Sequence, residues 1–551
     1  MSSLWSELEQ VLDEVQKPAR YIGGEDGMIV PAHHPDKAAW LLIYPDTYEV
    51  GLPNQGLQIL YEILNERSDA VAERSYAPWT DMAKVLRDRG LPLFSVDTHR
   101  PAAEFDVLAF NLAAELLYTN LLECIDLAGV PVRTANRSPA DPLVIVGGHC
   151  AYNPEPLADF IDAAVLGDGE EVVGEITQVL AAWKAAGRRD RHEVHLGLAA
   201  VPGVYVPSLY RVTFAGDRLA AATPHDPGAP EVVEKRTVAD LADWPYPRHQ
   251  LVPLTEVVHD RLNVEVFRGC TRGWRFCQAG MITRPVRERS VDEVVEAVRS
   301  MLKYTGYEEV ALLSLSSSDY QHIESLVEAI TTEFGHLNLN ISLPSLRIET
   351  VSVDLMDRLQ MAGRRGGFTL APEAASERMR EIINKPVSTK QLLETAREIY
   401  SRGWTTLKLY FMIGHPSETL EDVHEIADLA KAVLAEGRKV IGGKAKLNVG
   451  VSTFVPKPHT PFQWSPSDSL DQIKLKQRLL RREVRGRGLK LNLNKPHETM
   501  MESWLSRGDR RLGNVILEAY KNGAKFDGWW EHFNYRAWLR AFEECGLDTE
   551  F

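Results

Sequence analysis

The chain has 551 residues, of which 44% are hydrophobic and 25% charged, and its formal net charge is -15. This length is too great for one hydrophobic core, and the composition is typical of a soluble globular protein. The negative charge argues against a broad electrostatic contact with nucleic acid. Five cysteines are too few for a disulfide framework, and neither a signal peptide nor a membrane span is predicted, so we expect a cytoplasmic protein.

The first predicted domain follows an N-terminal segment of 37 residues. Between residues 38 and 185, short apolar runs such as AWLLIYP (39–45) and LVIVGG (143–148) alternate with helical stretches such as NQGLQILYEILNE (54–66). Runs of this kind are typical of buried parallel strands. The pattern predicts an α/β, doubly wound, Rossmann-like sheet, which would bind ligands at the carboxyl ends of its strands.

Three further segments follow. Residues 186–250 contain a predicted hairpin and a Pro-rich connector, and we place a domain boundary there. Residues 251–465 hold a second alternating series, with strands such as NVEVFRG, GFTLAPE and LKLYFMIG. Six such repeats predict a partial (β/α)6 barrel with its chemistry at the carboxyl strand ends. Residues 466–551 are predicted to form a helical, Trp-rich C-terminal extension.

One loop of the second domain carries two cysteines. The strand NVEVFRG leads into Cys270-Thr-Arg-Gly-Trp274-Arg-Phe-Cys277. Thiolates on one short loop suit an iron–sulfur cluster, although two cysteines seven residues apart also fit a pair of buried, reduced thiols. Tryptophan at position 274 offers an N–H donor and no lone pair suited to iron.

Several further motifs follow the cysteine loop in a fixed order along the second domain. The segments GCTRGWRFCQAGMITRPVRERS, LLSLSSSDY, GFTLAPEAASERMR, INKPV and LKLYFMIGHPSET occur at successive strand ends. In this order the chain resembles an uncharacterised family of cobalamin-binding radical S-adenosylmethionine (radical SAM) proteins. The resemblance implies three cofactors: S-adenosylmethionine, a 4Fe-4S cluster and cobalamin. Such proteins hold the cluster with CxxxCxxC, and Trp274 replaces the middle cysteine, so Cys270 and Cys277 remain as metal ligands.

The resemblance also implies binding residues. In the barrel, S-adenosylmethionine would contact the strand ends, at Phe276, Ser316, Ser317, Ser318, Asp319, Ser345, Arg347, Glu373, Tyr410, Met412 and Gly414. In the first domain, cobalamin would lie against the loops that hold Asp46, Glu49, Gly51, Gly147, Gly148, His149, Gly167, Gly169 and Glu170. Polar residues at strand ends also cap helices, and glycines also serve tight turns, so a structural role stays open for each. No residue is assigned a catalytic role.

Two functions are compatible with these features. As an enzyme, the chain would perform radical chemistry such as methyl transfer on an unknown substrate, which is what the resemblance implies. Without a cluster, the chain would instead be a carrier, sensor or partner protein that binds S-adenosylmethionine or a corrinoid, and Trp274 supports this alternative. RNA contact by the basic strip KLKQRLLRREVRGRGLK (474–490) is less favoured than a solvated helix face, and no membrane contact is expected.

Overall fold

In the computed structural model, residues 3–30, 32–216, 218–343 and 368–549 are described. The chain divides into two compact units. Unit 1 comprises Met1–Asp260, Ser300–Thr305 and Trp504–Phe551, and unit 2 comprises Arg261–Arg299 and Gly306–Ser503. The predicted connector, residues 186–250, therefore lies within unit 1. The predicted C-terminal extension is divided, because its last 48 residues belong to unit 1.

Unit 1 is built on a six-stranded sheet of order β2-β1-β3-β4-β5-β6. The first five strands in this order are parallel and β6 is antiparallel to β5. The strands are β1 (Ala38–Tyr44), β2 (Ala70–Tyr76), β3 (Val107–Asn111), β4 (Leu143–Gly147), β5 (Ala163–Val165) and β6 (Val204–Tyr205). Every residue of β1 is buried, as its apolar run predicts, and β2 is fully buried as well although its sequence, AVAERSY, is not an apolar run. The doubly wound sheet is confirmed.

Helices and one hairpin complete the first 260 residues. The hairpin pairs β7 (Tyr210–Ala215) with β8 (Arg218–Pro224). The helices are α1 (Trp5–Leu8), α2 (Tyr48–Gly51), α3 (Gln55–Glu66), α4 (Thr80–Arg89), α5 (Tyr118–Leu127), α6 (Val172–Ala185) and α7 (Arg191–Ala199). None of the described helices is long and apolar enough to cross a membrane.

Unit 2 contains two parallel sheets and a small antiparallel pair. The first sheet has the order β13-β12-β9, and the second has the order β14-β15-β16-β17. The strands are β9 (Leu262–Glu265), β10 (Phe267–Arg268), β11 (Arg287–Glu288), β12 (Glu309–Leu313), β13 (Asn340–Ser342), β14 (Phe368–Glu373), β15 (Thr406–Ile413), β16 (Lys446–Thr453) and β17 (Leu489–Leu493). Parallel strands alternate with helices here, as a barrel of the predicted type requires.

The helices of unit 2 alternate with its strands. They are α8 (Gln278–Ile282), α10 (Ile323–Phe334), α11 (Glu377–Ile382), α12 (Thr389–Ser401), α13 (Leu420–Ile441) and α14 (Leu470–Glu483), while α9 (Val291–Thr305) and α15 (Pro496–Arg507) begin in unit 2 and end in unit 1. Of these, α12, α13 and α14 cover one face of the second sheet. Leu407, Leu409, Leu447 and Val449 point from β15 and β16 into the core beneath α12 and α13. The opposite face of this sheet remains largely open, because its residues are exposed or half-buried.

The last helices pack on the first sheet's own helices. They are α16 (Leu512–Lys521) and α17 (Tyr535–Cys545). Between them, Asp527 accepts hydrogen bonds from Thr119 Oγ1 of α5 at 2.8 Å and from Trp538 Nε1 of α17 at 3.2 Å. Trp538 and Trp529 are held by carboxylates within unit 1, since each indole N–H has an acceptor there.

Asp527 gives unit 1 a predictable pH dependence. Burial raises the pKa of its carboxyl from 3.8 to about 6, although hydrogen bonds from Thr119 and Trp538 oppose the shift. A carboxyl whose pKa is raised by folding stabilises most when it is protonated, so this contribution is lost as pH rises through about 6. Relative to Asp527→Asn, which cannot titrate, the unmodified protein should gain about 2 kcal/mol of unfolding free energy between pH 7 and pH 4. Urea unfolding of both proteins measures the difference, and a pH-independent difference would contradict the assignment.

Candidate functional site

Hydrogen bonds to neighbouring segments hold the loop from Cys270 to Cys277 in place. Arg275 donates from its backbone N to Ile383 O at 3.1 Å and from Nη1 to Ile382 O at 2.6 Å. Asn384 Nδ2 donates to Gly273 O at 3.0 Å, and the Arg284 guanidinium donates to Cys270 O at 3.1 Å. These bonds tie the loop to the end of α11, so its backbone has partners that do not depend on a metal.

The two thiols of this loop lie close together. Both sulfurs lie within 3.8 Å of the point where a Cβ at Gly280 would stand, so the two thiols border the same small space beside α8. Cys277 caps α8, because its sulfur accepts a hydrogen bond from Gly280 N at 3.3 Å. Burial raises the pKa of the Cys277 thiol, which favours the protonated form when no metal is bound.

Trp274 fills the position of the missing ligand with a packed side chain. Its ring stacks on Phe276, with centroids 5.9 Å apart and planes 20° apart. The Lys385 ammonium lies 3.6 Å from the centroid of the Trp274 ring, and the same ammonium is 3.2 Å from Glu373 Oε1. Lys385 is buried and Glu373 ends β14. The indole face thus contacts a cation that is also paired with the half-buried Glu373 carboxylate.

These residues do not fit a cluster held by three thiolates. The loop supplies two sulfurs, and the third position carries an indole, whose N–H cannot ligate iron. Among the described residues, no group of three or more His, Cys, Asp or Glu side chains is arranged to hold a metal ion. Residue 274 is therefore the position that decides whether this loop can bind a 4Fe-4S cluster.

The predicted S-adenosylmethionine residues occupy several different environments. Ser316, Ser317 and Ser318 are buried at the end of β12, where Ser317 Oγ donates to Leu312 O at 3.0 Å. Asp319 pairs with Arg272, with Nε and Oδ2 3.0 Å apart, and so fastens the cysteine loop. Ser345 and Arg347 lie outside the described residues. These contacts give Ser317 and Asp319 structural roles beside the predicted ones.

The remaining predicted contacts lie on the second sheet. Tyr410 and Met412 point to the open face of β15, and the Tyr410 side chain is 47% exposed. Gly414 has a φ of +88°, and a Cβ there would stand 3.0 Å from Asp468 Oδ2, so the turn after β15 requires glycine. Its backbone N–H donates to Glu418 Oε1 at 2.8 Å.

His415 and Lys385 are site residues that sequence reasoning missed. The His415 side chain is buried, its ring centroid lies 5.8 Å from that of Phe276, and among the described residues neither ring nitrogen has a hydrogen-bond partner. Burial, and then the charge of Lys476, lower the pKa of His415 to about 4, so the ring is neutral at pH 7. Both residues stand inside quoted motifs, INKPV and FMIGHPSET, but no spacing rule marks either as a neighbour of position 274.

In unit 1, the predicted cobalamin residues divide into covered and exposed groups. Trp529 Nε1 donates to Asp46 Oδ1 at 2.8 Å, and Glu49 accepts hydrogen bonds from Arg20 and Lys17. A Cβ at Gly51 would stand 2.5 Å from the Tyr76 ring, so Gly51 is required by close packing. Asp46, Glu49 and Gly51 thus have structural roles at the carboxyl end of β1.

The ends of β4 and β5 are more open. Gly148 and His149 are exposed, and a side chain at Gly147 would meet nothing within 4 Å. Gly167 has a φ of +106° and a Cβ there would stand 2.0 Å from Arg236 O, so its glycine serves a close backbone approach. Gly169 packs beside Leu60, and Glu170 is buried. Residues 147–149 are therefore the part of this edge that a flat ligand can reach.

Comparisons with known proteins cover both units. A family described as "Radical SAM proteins, N-terminal" matches residues 56–207, and the "Radical SAM superfamily" matches residues 264–430. The second match spans Cys270, Trp274 and Cys277, and together the two matches cover more than half of the chain. Residues 264–430 are thus similar to the radical SAM superfamily, and residues 56–207 to the N-terminal part of radical SAM proteins.

Two relatives and one solved structure are also similar to this chain. It is 26% identical to the uncharacterized protein MJ0966 of Methanocaldococcus jannaschii, over 86% of this chain and 90% of that one. It is 22% identical to the ribosomal protein uS12 methylthiotransferase RimO of Sulfurimonas denitrificans, over 31% of this chain and 40% of that one. The fold is similar to that of the radical S-adenosylmethionine methyltransferase TsrM of Kitasatospora setae, with cobalamin and a [4Fe-4S] cluster bound, at a TM-score of 0.51 and 16% identity over 77% of this chain and 74% of that one.

The contact of Lys385 with Trp274 and Glu373 leads to a stability prediction. Lys385→Met leaves Glu373 buried without its cation, and should lower the unfolding free energy by about 1–3 kcal/mol. Lys385→Met combined with Glu373→Gln should recover part of this loss, because no buried charge then remains. Lys390→Met, on the exposed Lys390 of α12, is the matched control and should change stability by less than about 0.5 kcal/mol. Urea unfolding checks all three, and equal losses for Lys385→Met and Lys390→Met would contradict the buried contact.

Proposed function

We propose that this protein is of the cobalamin-dependent radical SAM methyltransferase type, acting on a substrate that its sequence does not name. The observation that carries the proposal is the pairing of two units in one chain. A doubly wound sheet of order β2-β1-β3-β4-β5 is joined to parallel strands whose first loop holds Cys270 and Cys277. Both superfamily matches and the likeness to TsrM support it. In this proposal the protein binds S-adenosylmethionine and cobalamin in the cytoplasm.

The iron–sulfur cluster would supply the electron that cleaves S-adenosylmethionine. This chain's own residues contribute two thiols, at Cys270 and Cys277, on a loop that its protein contacts already hold. Position 274 contributes an indole under the Lys385 ammonium. We therefore expect the superfamily chemistry to depend on a thiol at position 274.

A second candidate function follows from the same packing. Because Trp274, Phe276, Lys385 and Glu373 satisfy one another, the loop is complete without iron. Such a protein would bind S-adenosylmethionine or a corrinoid as a carrier, sensor or partner and would catalyse no radical reaction. The superfamily matches favour the enzyme, and the side chain at position 274 favours the binding protein.

Anaerobic reconstitution with iron and sulfide separates the two candidates. Trp274→Cys should hold about four irons per chain and cleave S-adenosylmethionine to 5′-deoxyadenosine, since it restores the third thiolate. The unmodified chain should hold no stable cluster, because two thiolates are too few and the indole occupies the space. Trp274→Ser, which removes the bulk without adding a thiol, is the matched control. Iron and sulfide counting with electron paramagnetic resonance reads the result, and a cluster in all three proteins would refute the role given to residue 274.

If Trp274→Cys also fails to hold iron or to cleave S-adenosylmethionine, the enzyme proposal is wrong and the binding protein takes its place. Retention of S-adenosylmethionine by the unmodified chain would then be the activity to measure.

Corrin binding is tested at the open end of β4. The purified protein, incubated with hydroxocobalamin and desalted, should retain about one equivalent, as a single preformed pocket would. Gly147→Val adds bulk at a position that is free of clashes, and should lower retention about tenfold, which corresponds to about 1.4 kcal/mol. Gly443→Val, at an equally open glycine of unit 2, is the control and should retain corrin normally. Visible absorbance measures retention, and its absence from the unmodified protein would remove cobalamin from the proposal.

A further inference from the structure

The open face of the second sheet of unit 2 carries a row of basic side chains. Strands pair in register so that Thr369, Lys408, Asn448 and Lys490 are direct neighbours across β14, β15, β16 and β17. Since alternate residues of a strand share a face, Lys446 of β16 lies on the same face as Asn448. Lys408, Lys446 and Lys490 are all exposed. Three lysines therefore stand within one or two strand spacings of each other.

Within the part of the chain that the structure describes, no ion pair involves Lys408, Lys446 or Lys490. The leucines that alternate with them, such as Leu407, Leu447 and Leu489, pack into the core on the other face. The chain as a whole carries a net charge of -15, so this local excess of positive charge is a feature of the face and not of the composition.

The basic surface continues around the end of the same strands. Leu447 N donates to Gly488 O at 2.7 Å, which places the turn before β17 beside the start of β16. This turn holds Arg485 and Arg487, and Lys444 precedes β16; all three are exposed. The positive charge thus extends from the open face to the outer surface of unit 2.

An aromatic ring and two amides adjoin the lysines. In the next row of the sheet, Tyr410, Gly450 and Asn492 are direct neighbours. The Tyr410 ring lies over Gly450, because a Cβ at that glycine would stand 2.7 Å from two of its ring carbons. Glycine at position 450 lets the ring lie across β16, where its side chain is 47% exposed. The side chains of Asn448 and Asn492 offer hydrogen-bond donors and acceptors beside it.

We propose that the open face formed by Lys408, Lys446 and Lys490 with Tyr410 binds single-stranded RNA, and that RNA is the substrate class of this protein. The assignment of RNA as a substrate rests on the proposed function, whereas RNA binding by this face does not. The lysines neutralise phosphates along one strand, the Tyr410 ring stacks on a base, and the asparagine amides meet base edges. Single-stranded nucleic acid is bound elsewhere by this combination of basic groups and an exposed aromatic ring.

An acidic protein segment is the competing ligand for such a surface. Its carboxylates would pair with the lysines as phosphates would, but a peptide has no specific contact to make with the flat Tyr410 ring over Gly450. The arrangement of Tyr410 over Gly450, one row from the lysines, favours a ligand with flat bases and regular phosphates. The two ligands therefore differ in their dependence on residue 410.

The test is fluorescence anisotropy of the full chain with a labelled 12-nucleotide single-stranded RNA, without S-adenosylmethionine, cobalamin or iron. We expect binding that weakens with salt, with log K falling by about 0.7 per phosphate contact for each unit of log salt concentration. Lys408→Glu with Lys490→Glu should weaken binding at least tenfold and reduce this slope. Tyr410→Leu should weaken binding about tenfold with an unchanged slope, because stacking is lost and no charge changes.

Two controls keep the outcome specific. Lys390→Glu with Lys431→Glu changes the same number of charges on the helices α12 and α13 and should leave binding within twofold. A labelled poly-glutamate peptide should bind weakly and be indifferent to Tyr410→Leu. The proposal is overturned if RNA does not bind, if the control pair weakens binding as much as the sheet pair, or if the peptide binds as tightly as RNA. Since no cofactor is present, these outcomes do not depend on the cluster or corrin experiments.

Discussion

The cysteine loop depends on one buried cation. Lys385 places its ammonium 3.6 Å from the Trp274 ring centroid and 3.2 Å from the Glu373 carboxylate, and the indole stacks on Phe276. A buried ammonium needs a charge partner, and the carboxylate and the π-face share that role here. The Trp274 indole is therefore packed on both Phe276 and the Lys385 ammonium. The same contact keeps the loop packed although position 274 carries no thiol.

In unit 1, protein side chains likewise occupy part of the sheet edge where a ligand would bind. In a sheet of order β2-β1-β3-β4-β5, ligands bind where the strand order reverses, between β1 and β3. Trp529 Nε1 donates to Asp46 at the end of β1, and Asn111 Nδ2 of β3 donates to Asn54 Oδ1 at 3.0 Å. These contacts occupy the β1 side of the reversal. The accessible part of this edge lies at the end of β4, at Gly147 and the following Gly148.

Much of this architecture could be predicted from the sequence, and the reasons are local. Buried parallel strands need continuous apolar runs, so AWLLIYP and LVIVGG mark β1 and β4 directly, and the cysteine loop follows its strand as expected. The last helices could not be assigned in this way. Asp527 meets Thr119 although the two residues are 408 positions apart in the chain, and no periodicity encodes such a pair. The burial of Lys385 could not be predicted either. A lysine is ordinarily a surface residue, and its burial here depends on contacts with Glu373 and Trp274.

A crystal structure of the unmodified chain, grown anaerobically after incubation with iron and sulfide, tests the central claim most directly. The account predicts that the Trp274 indole remains stacked on Phe276 beneath the Lys385 ammonium, with no iron bound to Cys270 or Cys277. A four-iron cluster on these two cysteines, with the indole turned out of the loop, would contradict it.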